Sequence, residues 1–292
     1  MELSFESVAV EPLVRDMENT MRPLAARRQN RLFVTCAPDA GEVRADMTRL
    51  RQILQKMTLP AAVGLVLALA AASAAEEPRY EVERTRAGRK VLLDARADAW
   101  KPAASITWGP APYETTFRAL WNEEGLFVVF DASDPQPWYT FSRRDDRLWD
   151  EEVVEIFLDP DRSGTHYGEV EWSPANVICD YHVISPLPNY KGDPSWTYEG
   201  LESRVEIRKD GERTTGWITA AFLPWNGLRA LPSVKGVALP PRPGDRWRFN
   251  VFRVERPHGP KDAERDAVYA AWSPPPIPKF HVPSAFRDFV FK

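Results

Sequence analysis

From about residue 79 onward, apolar residues rich in β-branched and aromatic side chains fall into short runs, many of them alternating with polar residues and separated by Pro, Gly, Asn and Asp. This spacing predicts strands over 117–121, 126–131, 153–159, 167–172, 177–184, 203–209, 216–223, 246–255 and 267–272. Asn122-Glu123-Glu124-Gly125 reads as a hairpin loop between the first two, and Lys209-Asp210-Gly211-Glu212 as a hairpin between two later ones. Helical periodicity is scarce. The proline-rich stretches at 239–243 and 274–278 read as rigid loops, because apolar strands resume after each. The pattern predicts an all-β domain, an antiparallel, jelly-roll-like β-sandwich spanning residues 76–292.

The upstream part has a different character. All five methionines lie at or before Met57, whereas all eleven tryptophans lie between Trp100 and Trp272. On the boundary sits Leu59 to Ala75, an apolar run with Arg49, Arg51 and Lys56 before it, an Ala-x-Ala pattern at Ala72 and Ala74 at its end, and Glu76-Glu77 after it. That order suits a signal peptide over 57–75 and is too short and alanine-rich for a membrane span, which predicts a secreted or periplasmic protein translated from Met47 or Met57. Residues 1–56 form an N-terminal extension, expected to be loosely ordered for want of a core partner. Within it, residues 43–54 resemble the approach to the ATP-binding domain of sensor histidine kinases. The glycine-rich ATP boxes do not follow and no histidine precedes His166, so a kinase is not expected.

Composition removes several function classes. A net charge of -4 with no long basic stretch gives no electrostatic footprint for nucleic acid. A mature domain would keep one of the two cysteines, Cys179, which excludes an internal disulfide and suits a small buried core residue. His166, His182, His258 and His281 show no zinc-type spacing, and a domain without methionine cannot ligate haem through His and Met.

The chemistry concentrates in Trp149-Asp150-Glu151-Glu152-Val153-Val154-Glu155-Ile156-Phe157-Leu158-Asp159-Pro160, an aromatic and acidic cluster leading into an apolar strand. Alternation places Val153, Glu155, Phe157 and Asp159 on one face and Val154, Ile156 and Leu158 on the other. A mid-strand carboxylate needs a partner, so Glu155 is either salt-bridged within the sheet or accepting hydrogen bonds from a ligand. Aromatic platforms beside charged hydrogen-bonding groups are what a sugar ring requires. The turn Asp159-Pro160-Asp161-Arg162-Ser163-Gly164 places Asp159, Asp161 and Ser163 at alternate positions, which suits either a calcium loop or a plain turn, and Asp94 with Asp98 offers a second such choice.

Taken together, Leu93-Asp94 through Trp100, Leu120 to Val128, Asp131 to Pro135, the 149–159 run, Trp217 to Trp225, Phe249 to Arg253 and Ala271 to Phe286 resemble, in order, family 9 carbohydrate-binding modules. The resemblance implies a β-sandwich that holds the end of an oligosaccharide or polysaccharide between two aromatic rings, is stabilised by calcium, and works beside a glycoside hydrolase in polysaccharide breakdown. It implies stacking by Trp149 and Phe280, and acceptance of sugar hydroxyls by Glu155 and Glu171, with Arg253 and His281 as donors. Two other readings stay open: a glycoside hydrolase using Glu155 with Glu171, since Glu155, Glu169 and Glu171 come from neighbouring strands, and an interaction module that keeps the fold without the sugar.

Overall fold

A computed structural model describes residues 6–9, 11–16, 18, 22, 41–46, 78–277 and 279–292. The chain divides into two compact units, Met1–Glu76 and Glu77–Lys292. In the first, strands β1 (Glu6–Ala9) and β2 (Glu42–Ala45) pair antiparallel. The kinase-like resemblance is therefore not borne out in its described part, which begins in a β-strand, and residues 47–54 and the apolar segment 57–75 lie outside the described residues. Among the described residues no helix is long and apolar enough to cross a membrane.

The second unit carries β3 (Arg79–Arg84), β4 (Ser105–Trp108), β5 (Thr115–Trp121), β6 (Gly125–Ser133), β7 (Val153–Asp159), β8 (Tyr167–Trp172), β9 (Ile178–Ser185), β10 (Lys191–Asp193), β11 (Glu202–Asp210), β12 (Arg213–Pro224), β13 (Arg246–Glu255), β14 (Val268–Ala271) and β15 (Arg287–Phe291). One layer runs β10-β9-β8-β7-β13, with β15 and β14 both on the far edge of β13; the other runs β11-β12-β6-β5-β4. Both predicted hairpins form, as β5-β6 and β11-β12.

The sheet is mixed, which corrects the purely antiparallel expectation. β3 pairs parallel with β15 through residues 79–82 and parallel with β5 through Glu83 and Arg84, so one strand stitches the two layers together. Between them lies the core, where Val154, Ile156 and Leu158 of β7 meet Trp121, Leu126, Val128 and Phe130. Each such side chain contributes about 1.5–3 kcal/mol by leaving water.

Strands β6 and β7 are covered on both faces, and for separate reasons. β6 turns Phe127 and Val129 outward under a cover of Leu92 and Trp100. β7 is buried along its whole length because the segments around Phe141, Trp149 and Phe280 fold over its outer face. That second covered face holds the candidate site.

Candidate functional site

The register fixes which side chains share the outer face. Across β7 and β8, Glu155 stands directly opposite Glu171; across β7 and β13 it stands opposite Phe252; across β8 and β9, Glu169 faces Tyr181 and Glu171 faces Cys179. Like charges directly opposed on a sheet repel. Glu155, Glu169 and Glu171 nevertheless converge, each offering an oxygen within 4.8 Å of the others, and all three are buried. No ion pair reaches Glu155 among the described residues, so the sheet-internal salt bridge expected as one alternative does not form. One carboxylate oxygen each of Glu169 and Glu171 is buried without a hydrogen-bond partner. Desolvation by burial drives all three upward, with Glu169 adding repulsion at Glu155 and both neighbours adding it at Glu171; Glu169 reaches about 8.

Aromatic rings surround these carboxyls. Trp149 is carried on a single 3-10 turn, Leu148–Asp150, and is half-buried; its ring meets Tyr181 edge to face at 5.7 Å and lies under the Arg147 guanidinium. Phe280 stacks on Phe252 at 4.4 Å, and therefore beside Glu155. His281 lies between Phe157 at 5.1 Å and Tyr190 at 4.2 Å, and its Nδ1 is 3.1 Å from the Tyr167 hydroxyl. Burial holds its imidazole down at about 4, so the ring is neutral near physiological pH.

The loops are held by buried polar contacts. The Asn250 side chain donates to the Ser273 carbonyl at 2.8 Å and accepts the Ser273 N–H at 3.2 Å, anchoring the start of the segment that carries Phe280 and His281. Glu151 accepts the N–H groups of Thr140 and Phe141, and Glu152 accepts that of Trp138, tying residues 138–141 to the Trp149 turn.

Arg253 is not brought to this site. Phe252 points outward with Glu155, so its neighbour points inward, where Arg253 is fully buried, pairs with Asp134 at 3.2 Å and with Glu255, and lies 5.0 Å from the Trp217 ring. A second carboxylate trio, Asp134, Glu152 and Glu255, is thereby built around a guanidinium.

The calcium candidates engage several of their oxygens locally. Asp159 is buried and accepts the Gly164 N–H at 2.9 Å, Asp161 accepts the Ser163 N–H, and Ser163 donates to the Thr165 carbonyl. Gly164 sits at a φ of 74°, where a side chain would be strained. Asp94 accepts the Arg96 N–H, while Asp98 is exposed and ion-paired with Lys101 at 3.0 Å. Both segments are thus turns with side-chain to backbone hydrogen bonds, but Asp159 Oδ1 is buried without a partner.

Sequence reasoning passed over Tyr181 and Tyr190 as site residues. Tyr181 had a signal in the alternation of Cys179, Asp180 and Tyr181, whereas Tyr190 reaches the site from an irregular turn and had none.

Residues 95–239 match the model of the carbohydrate family 9 binding domain-like family, a stretch that contains Trp149, Glu155, Glu169 and Glu171. Over this stretch the β-sandwich unit is similar in sequence to that family. Among solved structures, a Bacteroides uniformis protein described as a candidate carbohydrate-binding protein superposes with a TM-score of 0.55 at 14% identity, over 73% of this chain and 99% of its own. A family 9 module from Caldicellulosiruptor kristjanssonii, solved with cellotriose and with glucose, superposes with a TM-score of 0.51 at 15% identity, over 74% of this chain and 94% of its own in the cellotriose complex. These likenesses establish the fold. An "Extracellular protein" of Arthroderma benhamiae is 26% identical over 181 residues, covering 61% of this chain and 78% of its own.

Proposed function

We propose that the domain binds carbohydrate non-covalently, on the outer face of the β10-β9-β8-β7-β13 layer. The carrying observation is that the family match spans the segment whose register sets Glu155 and Glu171 on one face, with Trp149 and Phe280 at its borders. Trp149, Phe280 and Tyr181 supply flat apolar surface for the C–H face of a sugar ring, and the Tyr190 and Tyr181 hydroxyls supply polar partners at its edge. Glu155 and Glu171 stand behind those rings, buried in this conformation. Arg253 takes no part, because it points into the core and is already paired.

The same reading makes the ligand an oligosaccharide or a polysaccharide chain end, the protein exported, and its place beside a glycoside hydrolase in polysaccharide breakdown. The extracellular naming of the fungal relative supports export. A hydrolase acting through Glu155 and Glu171 is disfavoured, since both carboxyls are enclosed and neither can flank a glycosidic bond in this conformation.

The test is a glycan array followed by calorimetry on the full chain, with Trp149→Ala beside it. Saturable binding that the substitution weakens at least tenfold supports the assignment; absence of binding to every glycan class, with the chain folded, rejects it and favours an interaction module.

A further inference from the structure

Two histidines that lie far apart in the sequence meet across the β8-β9 ladder. His166 Nδ1 is 3.0 Å from His182 Nε2, with ring centroids 5.2 Å apart. His182 is the register partner of Gly168 on one side and of Asp193 on the other, which places it on the opposite face of the sheet from Glu169 and Tyr181. His166 stands just before β8, where its N–H donates to the Ile184 carbonyl at 3.3 Å. Its φ of 54° is left-handed, a conformation uncommon for a residue with a Cβ, and with the backbone so turned its imidazole meets His182. Burial, and after it the charge of His166, keeps the His182 imidazole below its ordinary value, while Asp193 pulls the other way. The neutral ring, which is the form that ligates metal, is thereby favoured.

We propose that His166 Nδ1 and His182 Nε2 form a binding site for a late first-row divalent ion, zinc or copper. In the ring-to-ring hydrogen bond one imidazole donates and the other accepts; when the donor shifts its proton to its other nitrogen, both facing nitrogens offer lone pairs to an ion. Metal–nitrogen bonds of about 2.0–2.1 Å meeting at about 90–109° set their nitrogens about 2.8–3.4 Å apart, and the observed 3.0 Å falls inside that span. Ligand type then selects the ion: imidazole nitrogen suits zinc and copper, whereas calcium and magnesium take oxygen, and copper stands above zinc in intrinsic affinity. Asp193 supplies negative charge on the same face, its Oδ1 held by the Ser195 N–H at 2.9 Å and the Ser195 hydroxyl at 2.6 Å, and water completes the coordination. His166 is half-buried and β10 is an edge strand, so an ion enters from solvent. Once bound, it cross-links the loop before β8 to β9. The site shares no residue with the proposed sugar face and stands or falls separately from it.

The experiment is calorimetry on the full chain, stripped with chelator and then freed of it, titrated with zinc chloride and in parallel with copper sulfate. One zinc should bind per chain at this pair, copper should bind more tightly, and excess calcium chloride should displace neither. His166→Asn, chosen because asparagine tolerates the left-handed backbone, and His182→Gln should each weaken zinc binding at least tenfold. His258→Asn, which removes the exposed pair with Asp266, should leave it unchanged. On wild-type protein alone, zinc should shift the NMR signals of the His166 and His182 imidazoles and leave that of His281 in place, which decides the matter should His182→Gln fail to fold. The proposal is overturned if neither zinc nor copper binds the folded wild type, if zinc leaves both imidazole signals unmoved, if His166→Asn binds zinc within threefold of the wild type, if His258→Asn abolishes binding, or if calcium displaces the zinc. The first of those results would mean that the two rings share only a proton.

Discussion

Asn250 and Ser273 are joined by two hydrogen bonds, 2.8 Å from the Asn250 amide to the Ser273 carbonyl and 3.2 Å from the Ser273 N–H back to the Asn250 oxygen. A side chain in the middle of β13 thus satisfies both backbone groups of a loop residue, as a neighbouring strand would. The same amide also donates to the Ala285 carbonyl at 3.3 Å, so one residue clips both ends of the segment that bears Phe280 and His281.

Asn250→Ala should therefore cost about 1–3 kcal/mol, the penalty for leaving buried backbone groups unsatisfied. Chemical denaturation measures that loss, and proteolysis within residues 274–284 should quicken in step. An unchanged midpoint would show that water replaces the clip without cost.

Trp149 tests platform against core. The ring is half-buried, stands on one 3-10 turn and touches Tyr181 by its edge, so Trp149→Ala should cost only about 1–2 kcal/mol while glycan affinity falls at least tenfold. A loss of 3–5 kcal/mol would mark the ring as a core element instead.

Arg253→Met should act in the opposite sense. It removes the only guanidinium paired with Asp134 and Glu255 among the described residues and leaves buried carboxylates uncompensated, at about 3–5 kcal/mol. Any folded variant should retain glycan affinity within about threefold. Loss of binding without loss of stability would return Arg253 to the site.

His281 should remain neutral far below the usual histidine range. In the folded state burial puts its titration near 4, against 6.5 in the unfolded chain. The unfolded state then binds a proton first as the pH falls, so this residue's contribution to stability is complete above about 6.5 and is lost as the pH falls towards about 4. An NMR titration of the imidazole carbons checks it; a midpoint near 6.5 in the folded protein would contradict the buried Tyr167 contact.

How much of this was legible in the sequence depends on whether a feature is local. The bounds of β7, β8 and β13 follow from alternation and turn residues, and so does the outward phase of Glu155. The inward phase of Arg253 was equally available, because Trp247, Phe249, Val251 and Arg253 share one parity and the first three line the core. Placing Arg253 at the site gave motif position more weight than strand parity. Pairing across long separations carried no such signal. That Glu155 would oppose Glu171 depends on the β7-β8 register, and that Asn250 would hold Ser273 depends on a loop returning over the sheet.

The strand that stitches the two layers has a consequence for synthesis. β3 opens the domain and β15 closes it, yet they lie side by side, and the Lys292 N–H donates to the Val82 carbonyl at 3.0 Å. As the ribosome delivers this chain, the seam between the layers stays unsealed until residues 287–291 have emerged, and the apolar flanks of β3 wait through more than two hundred intervening positions. The two layers are therefore joined only after the last strand of the sandwich has been made and has found the first.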